Sequence, residues 1–189
     1  MSGRLLTALL LCAVAPAFAD GGDGLYRDDA HGFEILQPAG WAIKLDASLA
    51  GHYRVSVNAP SYAGTGEGCS ITVIDTPSAP FTQEQLNASV QHGDILTAQS
   101  QQLKQMGIDF TITSQSIVTL SGFPAQESTQ RIHSLTPKGK AFTGIVHDFA
   151  LLVPGHEYLI DCGTLEDAYA AAQPEMDRVA RSFQLIAPR

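Results

Sequence analysis

Short runs of alternating apolar and polar residues, separated by glycine- and proline-containing turns, recur along most of this chain and confine it to sheet-based folds. Gly32-Phe33-Glu34-Ile35-Leu36 reads as a strand. Pro38-Ala39-Gly40 then presets a reversal, because proline fixes φ and glycine allows the turn, and the strand resumes at Trp41-Ala42-Ile43-Lys44. Tyr53 to Val57 and Cys69 to Asp75 follow the same period, with Cys69, Ile71 and Val73 on one face. Further strands are expected at 110–113 and 117–120, followed by a kink at Gly122-Phe123-Pro124-Ala125. Residues 126–135 and 141–153 read as a long hairpin around Thr136-Pro137-Lys138-Gly139. A tight turn at Pro154-Gly155-His156-Glu157 leads into Tyr158 to Cys162.

Two stretches break the pattern. Thr82 with Gln85 three residues on is a capping-box signature, and Leu86, Val90, Leu96, Leu103 and Met106 continue as an apolar stripe to Gly107. Gly93 is placed to bend or break that helix. At the other end Met176, Val179, Ala180 and Phe183 follow helical spacing, with Pro174 suited to a first turn. Strands in runs with one long central helix and one C-terminal helix give an α+β class with a mainly antiparallel sheet.

The N-terminus constrains the compartment. Arg4, an apolar run from Leu5 to Val14 and the small-x-small triplet Ala17-Phe18-Ala19 form a secretory signal peptide, cleaved after Ala19. The run is too short to span a bilayer. Cys12 lies inside it after Leu10-Leu11, where a lipoprotein site needs a small residue, so it reads as one more apolar residue of the leader. The expected organisation is a leader over 1–19, a flexible Gly- and Asp-rich arm over 20–30, and one domain over 31–189, with a periplasmic location. The aspartates of the arm do not follow the order of an EF-hand loop. In an oxidising compartment the two remaining cysteines, Cys69 and Cys162, form a structural disulfide.

The chain has 11 Lys+Arg against 19 Asp+Glu, a formal charge of −8. Such a surface repels phosphate backbones and speaks against nucleic-acid binding.

Three segments carry a resemblance. Gly32-Phe33-Glu34-Ile35 precedes Pro38-x-Gly40-Trp41, Leu120-Ser121-Gly122-Phe123-Pro124-Ala125 leads into the long hairpin, and the terminal helix ends in Arg181-Ser182-Phe183. In this order and spacing, over 30–187, they resemble the PsbP-like fold, particularly small bacterial envelope proteins of the DcrB type and related domains of unknown function. The resemblance implies a central antiparallel sheet flanked by helices. It also implies accessory or binding roles of the kind filled by an extrinsic photosystem subunit, a Ran-binding import factor and secretion adaptors. It carries no catalytic residues across.

The chemistry-bearing motifs are sparse. There is no G-x-S-x-G, H-E-x-x-H, P-loop or G-x-G-x-x-G sequence. Gly64-x-Gly66-x-Gly68 precedes a strand rather than opening a helix, so it reads as a loop. His133 and His147 lie on the two arms of the hairpin, with Glu127 or Asp148 as a third group, which raises a zinc site. The hairpin register instead sets His133 near Thr143 or Gly144. His147, on a face with Ile145, Phe149 and Leu151, then reads as a satisfied, partly buried histidine. His156-Glu157 is an acid–base pair without a nucleophile, and Asn87-Ala88-Ser89 is a formal glycosylation acceptor inside a helix.

These readings favour a non-catalytic periplasmic protein, with no cofactor, metal or membrane span, that binds another envelope or secreted protein as an immunity or adaptor protein. The alternative is a small-ligand or lipid-binding module with a pocket lined by Trp41, Tyr53, Phe123 and Phe149.

Overall fold

The computed structural model describes residues 22–45, 52–76, 81–105, 107–135 and 141–186. The expected leader with Cys12 and Ala19, the expected turn over Thr136–Gly139, and Met106 lie outside them. In chain order the elements are β1 (Gly24–Asp28), β2 (Phe33–Gln37), β3 (Ala42–Leu45), β4 (Tyr53–Asn58), α1 (Tyr62–Thr65), β5 (Gly68–Asp75), α2 (Gln83–His92), α3 (Asp94–Gln105), β6 (Asp109–Leu120), β7 (Phe123–Leu135), β8 (Ala141–Val153), β9 (His156–Leu165), α4 (Glu166–Arg181) and β10 (Gln184–Leu185). Seven strands form one antiparallel sheet in the order β3-β4-β5-β9-β8-β7-β6, and β1-β2-β10 form a small second sheet.

The class is α+β with mainly antiparallel sheet, as the strand periodicity predicts. Strand alternation gives the large sheet two buried faces. On one, Val55, Val57, Ile71, Val73, Phe149, Leu151, Tyr158 and Ile160 meet α4 and the small sheet, with Phe33, Ile35 and Phe183 fully buried between them. The helix presents Ala172, Met176, Val179 and Ala180, a stripe of helical period. On the other face Val90 of α2 and Ile95 of α3 cover Ala150, Leu152 and Leu159.

Several local expectations are corrected. The 20–30 arm is not loose throughout: 24–28 is β1, paired from Gly24↔Gln37 to Asp28↔Phe33, because it caps the open edge of β2. The central helix is two helices, since Gly93 takes a left-handed conformation (φ 78°) that ends α2; the capping box of Thr82 and Gln85 is present. The stretches 110–113 and 117–120 are one strand interrupted by a bulge between Ile112 and Ser114. No kink occurs at Phe123-Pro124: Ser121 and Gly122, both with positive φ, make a two-residue hairpin turn, and pairing resumes at Leu120↔Phe123. Pro174 lies inside α4 rather than in its first turn. It is tolerated because it and Ala170, whose carbonyl loses a partner, both face solvent.

The three resembling segments each hold a joint of the fold. The Trp41 amide donates to the Pro38 carbonyl at 3.0 Å, and its ring is buried. The Ser121 hydroxyl accepts from the Leu185 amide at 2.7 Å, and Ser182 accepts from the Leu36 amide at 2.8 Å. The C-terminal strand is thus tied to the small sheet and to the β6–β7 turn.

Candidate functional site

Cys69 and Cys162 face each other as a register pair of β5 and β9 and are bonded, with Cα atoms 4.0 Å apart. The expected disulfide is present, a staple at the centre of the large sheet.

The four proposed pocket residues do not line one pocket. Trp41 and Phe149 belong to the main core, 7% and 0% exposed, and Tyr53 packs against the same core. Phe123 alone of the four lines a cleft, of about 480 Å³, at one end of the molecule between the two sheets, with His31, Val153, Pro154, His156 and Tyr158. Aromatics at strand positions became core because alternation turned them to the α4 face.

The histidines are engaged within the fold. His133 pairs with Thr143 in register, and its Nδ1 lies 3.1 Å from the Thr143 hydroxyl. His147, 6% exposed, lies between two carboxylates, Nε2 to Glu127 at 2.9 Å and Nδ1 to Asp177 of α4 at 2.8 Å. Both ring nitrogens are thus within hydrogen-bond distance of a carboxyl group, one on β7 and one on α4. Arg181 adds a 2.5 Å bond to Glu127 and stacks over Phe149. Burial raises the Glu127 pKa, but the Ser116 hydroxyl, Arg181 and His147 outweigh it and hold the carboxyl below its ordinary value. The cluster clamps α4 to β7 and β8. Of the two candidate third groups, Glu127 joins His147, while Asp148 points to the opposite face.

His156 and Glu157 also fall on opposite faces, being consecutive strand residues. The carboxylate beside His156 is Asp75, 3.1 Å from its Nδ1. At the same end of the molecule His31 stacks on Tyr53 at 3.4 Å, and its Nδ1 is 3.1 Å from both oxygens of buried Asp28. The Tyr158 hydroxyl donates to the His31 carbonyl at 2.7 Å. Burial, then the bond to Asp28, pushes the Tyr53 phenol well above its ordinary range.

The most unusual feature lies on the face away from α4. Register places Lys44, Ser56, Ser70, Asp161, Asp148, Ser128 and Gln115 side by side, one from each of the seven strands. The middle of this polar row is covered: Ser70, Asp148 and Ser128 are 5%, 6% and 3% exposed. Gln130 donates to Asp148 at 2.5 Å, Ser128 donates to the same oxygen at 3.3 Å, and Arg54 donates to Ser70 at 2.9 Å. Burial, then the charge of Asp161, drives the Asp148 pKa far upward, and burial raises Asp161 as well, so this register pair of carboxyls shares a proton. Arg54 opposes the rise at Asp161 but does not cancel the effect of its burial. Among the described residues, the buried donor Arg54 Nε and the buried acceptor Gln130 Oε1 lack a partner. Buried networks of this kind are costly, and a strongly perturbed carboxyl beside a cleft is a candidate functional group.

Sequence reasoning missed this row. Its signal was there: IVHDFALLV and YLIDCGT each set an aspartate among residues apolar at both parities, which is how a strand with two covered faces reads.

No protein-family model matches the chain, and no curated protein matches it. Solved structures do. The solution structure of cyanobacterial PsbP (CyanoP) from Synechocystis sp. PCC 6803 is similar with a TM-score of 0.62 at 18% identity, over 90% of this chain and 99% of that one. The Ran-binding protein Mog1p of Saccharomyces cerevisiae is similar with a TM-score of 0.51 at 10% identity, over 87% of this chain and 96% of that one. At such identities the likeness concerns architecture alone, and it shows that the chain has the PsbP-like fold.

Proposed function

We propose that the protein is a non-catalytic accessory protein that binds another protein of the cell envelope, acting in the periplasm after export by the leader of residues 1–19. The observation that carries this reading is the tip of the β8–β9 hairpin. Val153 and Pro154 are shared walls of two adjoining clefts. One is the end cleft with Phe123 and Tyr158. The other, about 410 Å³, runs between the tip and α2 and is lined by Phe81, Leu86 and Leu152. Phe81 is 57% exposed and adjoins Leu86, Leu152 and Val153 in one apolar lining. Near the same end the Asp75 carboxylate, beside His156, stands 89% exposed, and Asp29 is paired with Arg27. An apolar centre with a charged rim is the anatomy of an interface, and an acidic rim selects a partner with basic residues around an apolar anchor. Mog1p, one of the fold relatives, is itself described as a binding protein. At this end of the molecule a ligand-binding reading rests on the end cleft, whose volume is in the range of small-molecule sites.

The test is crosslinked capture from envelope extract with the mature chain as bait, run beside Phe81→Asp and Pro154→Asp. Both residues are exposed, so the variants keep the fold. The reading requires one protein captured by the parent chain, lost with either variant and weakened by salt. Equal capture by all three baits, or none by any, removes it.

A further inference from the structure

The polar row opens to solvent beyond the helical cover. A groove of about 180 Å³ lies over β4, β5 and β9, walled by α1. Its polar lining comprises Arg54, Ser56, Asn58, Ser70 and Asp161, and Tyr62, 50% exposed, stands at its rim. The backbone is arranged to keep it open. Gly66 ends α1 in a left-handed conformation (φ 70°), and a Cβ at Gly68 would stand 2.9 Å from the Asn58 side-chain oxygen and 3.0 Å from the Val57 carbonyl. These are the glycines of the Gly64-x-Gly66-x-Gly68 stretch, which serve shape rather than phosphate.

The groove contains opposite charges that do not close on each other. Arg54 and Asp161 feel each other's charge, but among the described residues no ion pair joins them. Arg54 spends one Nη on Ser70, while its buried Nε–H has no partner. A buried donor without an acceptor is costly, and the Arg54 side chain that carries it lines an open, polar space. A ligand that completes the groove must offer an acceptor to Arg54 and a donor to Asp161 without carrying net charge, since the two side chains already balance. Neighbouring hydroxyl groups do both at once. Ser56, Asn58 and Ser70 add neutral hydrogen-bonding groups, and a half-exposed tyrosine ring gives an apolar face to the C–H side of a sugar ring.

We propose that this groove binds one neutral cyclic saccharide unit through hydrogen bonds to Arg54 and Asp161, with its C–H face on Tyr62. Asp148 is a positioning residue: held by Gln130 and Ser128, it stands beside Asp161 in register and supports it from behind. The site lies on different elements from the hairpin tip, so it stands or falls independently of the protein-binding reading.

The Nε–H resonance of Arg54 is the direct probe. Glucose, N-acetylglucosamine and N,N′-diacetylchitobiose are titrated into the labelled mature chain to roughly 50 mM, a range that captures weak binding, beside acetate and glycine as charged controls. At least one sugar is expected to shift the Arg54 signal saturably. Tyr62→Ala weakens that binding about three- to tenfold, and Asp161→Asn weakens it about tenfold or more, with melting curves confirming that both variants fold. Tighter binding of the disaccharide marks a glycan end and equal binding a free sugar; either upholds the site. Silence with every sugar overturns the proposal. So does a stronger response to acetate or glycine, or sugar binding that ignores both substitutions.

Discussion

The two faces of the large sheet solve the same problem in opposite ways, one residue apart. On the α4 face, register aligns Val57, Cys69, Cys162, His147 and Thr129; on the other face the next row is Ser56, Ser70, Asp161, Asp148 and Ser128. The first row is closed by strong, fixed joints: a disulfide and a histidine held by two carboxylates. The second is closed by a shared proton and neutral donors, and it leaves two polar atoms unpartnered. The first arrangement fixes a helix onto a sheet. The second holds polar groups ready beside a groove, at a cost in stability that the first helps to offset.

If that division is right, the largest loss comes from the first row. Replacing Cys69 and Cys162 together by alanine frees a loop with a sequence separation of 93. Chain entropy predicts about 4 kcal/mol of lost stability, read as a lower denaturation midpoint in urea. A loss under about 1 kcal/mol would make the disulfide incidental and the comparison unsound.

His147→Leu comes next. The leucine fills the space beside Phe149, but Glu127 and Asp177 each lose a hydrogen-bonding partner. Glu127 keeps Arg181 and Ser116, so the expected cost is about 2–3 kcal/mol rather than the full penalty of an orphaned pair. The pH dependence sharpens this. Glu127 has a folded pKa below its unfolded value, so its contribution is present above the unfolded value of about 4.3 and is lost as pH falls through the folded one. Losing His147 removes one of the groups that lower it, so the acid loss of stability becomes shallower in the variant. Acid unfolding curves of unchanged steepness would show that His147 is not part of the Glu127 clamp.

How much of this was legible in the sequence follows from the same contrast. The α4 face could be read because its signals are local or compartmental. Period-2 apolar residues gave the strands, two cysteines in a chain expected to be exported gave the disulfide, and hairpin register placed His133 near Thr143 or Gly144, of which Thr143 is its partner, and His147 among apolar neighbours. The other face could not, because Ser70, Asp148 and Asp161 acquire meaning only when three strands distant in sequence are laid side by side. Local reading also named Trp41, Tyr53, Phe123 and Phe149 as a pocket, although tertiary packing distributed them between core and end cleft. Turn chemistry was the intermediate case: Gly93 was recognised as a breaker, while the Ser121-Gly122 turn was displaced onto Phe123 and Pro124.

The smallest effect is the most informative about the second row. Asp148→Asn keeps the shape, keeps an acceptor for Gln130 and Ser128, and can still donate to Asp161 from its amide. At pH 5 the variant is expected within about 1 kcal/mol of the parent chain. The difference should then change with pH. Asp148 has a folded pKa raised by burial and by Asp161, so its contribution is fully present below the unfolded value of about 3.9 and is lost as pH rises through the folded value. Asparagine has no proton to lose, so the variant gains on the parent chain with rising pH and becomes the more stable of the two in alkali. Parallel stability curves across that range would mean that Asp148 titrates as an ordinary carboxyl. The second row would then be a set of buried polar groups with no shared proton, and Asp161 would lack the support from behind that distinguishes this face from the other.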